Sequence, residues 1–214
     1  MLDELIKEKI RKTPTFLKDL ENPDEELMLY AVGNAWNNLK YFKHPSAKVR
    51  RVALENKGWA IQYIKDPTEA EKLIAVKRDA DAIQYVDGPD CEIQIAAVNS
   101  AWNAIRLIKL PCPEAKRLAV QKNEQAIAYI TDYSANDLAG YLKDNIKIVK
   151  YIYDSIELDE LTRVLTEVFS GEPTADYIRD FMELRILDMD KIPFIDSVGS
   201  KSTKQKLVDY VLGR

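Results

Sequence analysis

Apolar residues recur along this chain in two alternating clusters with a fixed spacing. A small residue followed by a branched one stands at Ala31-Val32, Ala53-Leu54, Ala75-Val76, Ala97-Val98 and Ala119-Val120, each pair 22 residues after the last. A second apolar column runs Leu39, Ile61, Ile83, Ile105, Ile127 and Val149, and Phe42, Ile64, Val86, Ile108, Ile130 and Ile152 follow it three residues later. Spacing of three marks one face of a helical turn. Prolines punctuate the same period at Pro23, Pro45, Pro67, Pro89 and Pro111. Each unit therefore predicts two short helices, of roughly ten and six to eight residues. Neither would persist alone in water, so stability must come from stacking each pair on its neighbours. Met1 opens a register that places Ile10, Leu17 and Leu20 in these columns, and Tyr133 replaces the proline of the last unit. The pattern predicts an all-α fold, an α-solenoid of seven two-helix repeats over residues 1–154.

Local signals predict where the first helices begin. Asn22-Pro23 and Asp66-Pro67 place a capping side chain before a proline at the first helical position, and Asp66 with Glu69 has the spacing of a capping box. Asn34, Asn56, Asn123 and Asn145 suit the turn inside each unit, since asparagine bonds its own backbone and tolerates left-handed dihedrals.

After Asp154 the period fades. Leu161 and Val164 still fit apolar columns, but Gly171-Glu172-Pro173 interrupts the chain. Thr174 is placed to start a helix burying Tyr177, Ile178, Phe181, Met182 and Ile186, and a last helix from about Thr203 is expected to bury Leu207, Val208, Val211 and Leu212. Ile192-Pro193-Phe194-Ile195 between them is too short to classify. Residues 155–214 thus form an acidic helical C-terminal module, read as a cap on the last repeat or as a partner-specific surface.

Charge narrows the function classes. The net charge is −4, and residues 1–154 carry 23 acidic and 23 basic side chains against 12 and 8 in residues 155–214. A balanced surface offers no long-range field for DNA or RNA. No apolar run reaches the ~18 to 20 residues of a membrane span, and Met1 to Lys12 intersperses charges with Leu2, Leu5, Ile6 and Ile10, unlike a signal peptide. A cytoplasmic protein is the expectation. Cys91 and Cys112 are the only cysteines and His44 the only histidine. They are read as reduced thiols, with neither a disulfide framework nor a structural zinc site, and no metal or cofactor is expected.

Pro45 to Ile64 and Asp66 to Val86 carry the patterns Pro-x-x-x-x-x-x-x-Ala-Val and Ala-Ile-Gln-Tyr-Ile. In these columns, most specifically over residues 45–130, the chain resembles an uncharacterised phage and bacterial repeat family, domain of unknown function 4116. His44 to Asn56 is more loosely similar to leucine-rich repeat variant units, which implies a right-handed solenoid of α-helices alternating with shorter helices that could be 3-10. Neither resemblance brings an activity. Tyr141 in the small-residue column departs from the pattern and implies a repacked last joint.

No catalytic constellation emerges. Val198-Gly199-Ser200-Lys201-Ser202-Thr203 falls short of a phosphate-binding loop, because Phe194 stands where a glycine is needed and Ser200 separates glycine from lysine. Ser202 is read as a helix cap. Asp79 with Asp81, and Asp188 with Asp190, read as solvated turn carboxylates. His44 has no partner for acid–base work and suits capping or an exposed loop.

Tyr41, Tyr63, Tyr85, Tyr129 and Tyr151 recur once per unit, which suits packing between neighbours, with base stacking as the other reading. Variable columns are better binding candidates. Trp36 and Trp102 share a column with Gly58, Ala80 and Glu124, and Trp59 stands one place later, so the three tryptophans are either contact anchors or satellite packing. Lys18, Lys40, Gln62, Gln84, Arg106 and Lys150 form a polar, partly basic track, while Arg50, Arg51, Lys72, Lys116 and Arg117 form a second basic stripe; solvated helix faces account for both more readily than binding does, because acids are interleaved elsewhere. The expectation is a non-enzymatic adaptor or inhibitor that binds a protein, with Trp36, Trp59, Trp102, Lys40, Gln62, Gln84, Arg106, Arg50 and Arg51 as candidate contacts. The family resemblance adds a phage-borne protein directed at a host factor. The alternative is a nucleic-acid binder using the basic and tyrosine track.

Overall fold

The computed structural model describes residues 4–213, which form helices joined by short turns, with no strand among them. Met1 and Leu2, which the sequence reading used, lie outside the described residues. The protein is an all-α helical repeat. Seven α-helices, α1 (Glu4–Lys12), α2 (Glu25–Asn34), α3 (Ala47–Asn56), α4 (Glu69–Arg78), α5 (Cys91–Ser100), α6 (Pro113–Lys122) and α7 (Ala135–Asp144), are each followed within two residues by a 3-10 helix. The first six 3-10 helices are Pro14–Asp19, Trp36–Tyr41, Gly58–Tyr63, Ala80–Tyr85, Trp102–Leu107 and Glu124–Tyr129. The seventh, Ile146–Ile148, runs on into the single α-turn α8 (Val149–Ile152). Among the described residues no helix is long and apolar enough to cross a membrane.

The chain divides into two compact units, one ending at Ala115 and the other starting at Lys116. In the first unit α2 to α5 pack against one another in chain order, and the 3-10 helices do the same in a second layer. Ala31, Ala53, Ala75 and Ala97 are fully buried in the α layer, with Leu39, Ile61, Ile83 and Ile105 buried under the 3-10 layer. Hydrogen bonds spanning about one repeat bind neighbours: Asn56 Nδ2 donates to the Val32 carbonyl at 3.1 Å, and Arg78 donates to the Asn56 carbonyl at 3.3 Å.

The helix starts correct the sequence expectation. The caps are Asp24, Ser46, Thr68, Asp90 and Ser134, each one residue after the proline or, at Ser134, after Tyr133. The capping box is Thr68 with Glu71, not Asp66 with Glu69. A proline disfavours helical dihedrals in the residue ahead of it, and Asp66 takes φ +50°. Asn22, His44 and Asp66 therefore close the preceding loop, and the first side-chain oxygen beyond the proline is the one that reaches the helix N–H groups.

The turn inside each unit also differs. Its pivot is extended rather than left-handed, with φ −153° at Ala35, −152° at Lys57 and −154° at Asn145. The pivot N–H still bonds the carbonyl in the small-residue column, as in Ala35 to Ala31 at 3.0 Å and Lys57 to Ala53 at 2.9 Å. One extended residue thus ends the α-helix and redirects the chain into the 3-10 helix.

The cysteines are likewise corrected, since Cys91 and Cys112 form a disulfide. Cys91 opens α5 and Cys112 immediately precedes α6, a separation of 21 residues that stacking converts into a Cα–Cα distance of 5.8 Å.

In the second unit α7 packs on α9 (Leu158–Ser170), and α10 (Ala175–Glu183) and α11 (Lys191–Val198) pack on α12 (Lys201–Leu212). Phe169 is central, with ring centroids 4.9 Å from Phe181 and 6.0 Å from Tyr177. Thr174 caps α10 as expected, but Ser200 rather than Ser202 caps α12, one turn ahead of the buried Thr203 that bonds the Gly171 carbonyl. Leu207 is buried, whereas Val208, Val211 and Leu212 are exposed, and Ile186 lies beyond α10 and is also exposed. Their apolar character did not translate into burial. Tyr141 fills its small-residue position by stacking edge-on against Tyr133 at 6.2 Å, and burial pushes its hydroxyl up to about 12.

Candidate interaction surface

The 3-10 layer of the first unit carries most of the candidate contacts. Because these helices recur in register, Lys18, Lys40, Gln62, Gln84 and Arg106 all come to the surface beside the half-buried Tyr41, Tyr63 and Tyr85. Lys18 and Lys40 hold their ammonium groups 5.7 and 5.0 Å from the Tyr41 ring centroid. Gln62 and Gln84 donate to the carbonyls of Trp59 and Asp81 within their own helical turns, at 2.9 and 2.8 Å. Those bonds hold the amide groups upright while leaving the side chains exposed.

Tryptophans connect consecutive repeats across this layer. Trp36 stacks on Tyr63 at 6.0 Å, and Trp59 meets Tyr85 edge-on at 5.9 Å. Trp59 Nε1 also donates to Asp81 Oδ1 at 2.7 Å, while the Lys57 ammonium lies 5.2 Å from the indole and 2.7 Å from Asp79. Trp36, Trp59 and Trp102 are each half-buried, so part of each indole reaches the surface. Where Ala80 occupies the column of Trp36 and Trp102, an open cleft of about 420 Å³ lies among Lys77, Asp81, Ser100, Asn103 and Arg106.

Asp79 and Asp81 correct the reading of solvated turn acids, for both are half-buried joints between repeats. Asp79 accepts from the Gly58 N–H at 2.6 Å, and a side chain at Gly58 would meet the Ala75 carbonyl oxygen at 2.2 Å. Glycine is demanded there by backbone approach, not merely tolerated. Asp188, Asp190 and His44 are exposed, as expected of loop residues.

The second basic stripe is largely absorbed by the fold. Arg50 Nε lies 2.9 Å from the buried Glu71, and Lys116, itself buried, bonds the Asp132 carbonyl at 2.8 Å and its carboxylate at 2.9 Å. That ammonium holds the Asp132 carboxyl below its usual range. Lys72 pairs with Glu69, Arg117 with Asp144, and the exposed Arg51 with Glu55. Gln94 occupies the same column and clamps backbone instead of a carboxylate. Arg50, Gln94 and Lys116 in this column join successive repeats, a role that spacing alone could not separate from a solvated face.

In the second unit Lys150 and Lys147 approach Glu124 at 3.6 and 4.0 Å, and Lys147 approaches Asp180 at 3.3 Å. A cleft of about 410 Å³ there is lined by Asp144, Lys147, Glu172, Thr174, Asp176 and Asp180. Its charges are of both signs, and Lys147 and Asp180 pair within it.

The chain matches no family model, and neither a curated protein nor a solved structure is similar to it.

Proposed function

We propose that this protein is a non-catalytic binding protein that engages another protein through the 3-10 layer of its first unit. The observation that carries this reading is the recurrence, once per repeat, of a half-exposed aromatic beside an exposed polar side chain, from Lys40 and Tyr41 to Gln84 and Tyr85. Rigid aromatics framed by adaptable polar groups are what protein interfaces use as anchors. A nucleic-acid role is less well supported, because Arg50, Lys72, Lys116 and Arg117 already face carboxylates of the same chain, leaving little field to attract phosphates. The resemblance to phage and bacterial repeats extends the reading to an adaptor or inhibitor acting on a host factor in the cytoplasm.

The test is affinity capture from bacterial lysate, comparing the natural chain with Lys40→Glu/Arg106→Glu. Both positions are exposed, so helicity should be unchanged. One protein should be retained by the natural chain at low and high salt and lost by the variant. Retention of nucleic acid that disappears at high salt would instead establish the alternative, and equal capture by both chains would move the binding face elsewhere.

A further inference from the structure

Three groups able to ligate a metal meet at the start of α5 and the start of α6. Cys91 Sγ, Cys112 Sγ and a Glu114 carboxylate oxygen all lie within 4.8 Å of one another, and Glu114 Oε2 is 3.3 Å from Cys91 Sγ. Both cysteines are half-buried and Glu114 is exposed. While the sulfurs are joined, the carboxylate faces an atom with no proton to donate. As a thiol, Cys91 would donate to it; as a thiolate, Cys91 would repel it unless a cation stood between them.

The framework of this cluster does not depend on the S–S bond. Gln94, buried on α5, accepts from the Cys112 N–H at 2.7 Å and donates to the carbonyls of Pro89 and Leu110 at 2.9 and 3.3 Å. Asp90 caps α5 by accepting from the Ile93 N–H. One buried amide therefore pins the loop ahead of Cys91 to the loop ahead of Cys112. The same clamp would keep the two sulfurs and the carboxylate gathered once the disulfide is reduced.

We propose that the reduced chain binds one thiophilic divalent cation of the zinc class through Cys91 Sγ, Cys112 Sγ and Glu114 Oε2, with water as a fourth ligand. Two electrons from a thiol reductant break the S–S bond, giving two thiols while the reductant becomes its own disulfide; the cation then displaces the two thiol protons into solvent. Zinc–sulfur bonds of about 2.3 Å and zinc–oxygen bonds of about 2.0 Å at tetrahedral angles separate the donor atoms by roughly 3.5 to 3.8 Å. The oxygen already stands close to that distance from Cys91, and side-chain rotation opens the sulfurs across a Cα–Cα distance of 5.8 Å. Oxidation closes the site and reduction opens it. None of the residues in the proposed protein-binding layer takes part, so this inference stands apart from that reading.

The full chain, reduced with a phosphine and kept free of oxygen, is titrated with Cd²⁺ while thiolate-to-cadmium absorption is followed, and Zn²⁺ is then added in competition. Reduced natural chain should take up one equivalent, with the intensity of two thiolates, and the oxidised chain none. Glu114→Gln should weaken binding by more than the roughly tenfold that losing even an outer partner costs, and Cys91→Ser should abolish it, both with helicity intact by circular dichroism. The site is refuted if reduced natural chain binds no tighter than Cys91→Ser, or if Glu114→Gln binds as well as the natural chain. One metal per two chains would likewise overturn it by placing ligands on a second copy. The oxidised natural chain needs no substitution and controls for any folding defect in the variants.

Discussion

The indole N–H of Trp59 donates to Oδ1 of Asp81 at 2.7 Å, and the two residues are one repeat apart, 22 positions along the chain. The ring also lies edge-on to Tyr85, so a single side chain joins neighbouring repeats by a charge-assisted hydrogen bond and an aromatic contact. Asp81→Ala should leave the half-buried indole N–H without its acceptor and lower stability by about 2 kcal/mol. Urea unfolding followed by circular dichroism measures this, and Asp81→Asn should recover part of it. An unchanged midpoint in Asp81→Ala would show the bond to be incidental.

Gly58 offers a sterically sharper test. Its backbone passes so close to Ala75 that an added Cβ would stand 2.2 Å from the carbonyl oxygen. Gly58→Ala must therefore push α4 and the third 3-10 helix apart, with a loss of about 3 kcal/mol as in other overpacked sites. Gly33→Ala, where nothing lies within 4 Å of the new atom, should be neutral or slightly stabilising. Equal melting temperatures for the two variants would contradict this packing.

Closing a loop of 21 residues, the Cys91–Cys112 bond restricts the unfolded chain. Chain entropy assigns such a loop about 3 kcal/mol. Denaturation with and without a phosphine reductant, in the absence of metal, should show a drop of that order. Because Gln94 still clamps both loops, the reduced chain should nonetheless remain fully helical below its transition. Unfolding on reduction alone would show that the amide clamp cannot hold the fold.

Tyr141 makes stability sensitive to alkali. Burial opposes the phenolate and raises the hydroxyl from its ordinary 10.0 to about 12. A folded-state value above the unfolded one means that this contribution is complete below pH 10 and is lost as pH rises toward 12. Tyr177, whose hydroxyl donates to the Leu142 carbonyl at 2.9 Å, is shifted upward by burial as well and acts in the same direction. Tyr141→Phe should flatten the fall in melting temperature across that interval. An identical pH profile for the variant would exclude Tyr141 as a contributor.

Much of the fold was legible because a repeat announces itself through its core. Ala53, Ala75 and Ala97 had to be small wherever helices approach, and Ile61, Ile83 and Ile105 had to be apolar wherever the second layer covers them. The candidate surface was legible only in part. Lys40, Gln62, Gln84 and Arg106 reach the surface together because they share a register, but Arg50 in the other stripe is spent on Glu71, one repeat onward. The sequence spacing is the same for an exposed base and for one paired across a joint. Helix starts were misplaced by two residues for a related reason, since Asp66 and Thr68 both have capping chemistry and only the dihedrals around Pro67 select between them.

By itself the sequence determined the period, the α-helical character and the stacking of like on like, since all three follow from local residue preferences and from apolar columns that must be buried. Tertiary structure alone decided which groups meet across a joint, because a contact between residues 17 to 25 positions apart depends on how one repeat lies upon the next. The joining of Cys91 to Cys112, the bond from Trp59 to Asp81 and the need for glycine at position 58 belong to that second class.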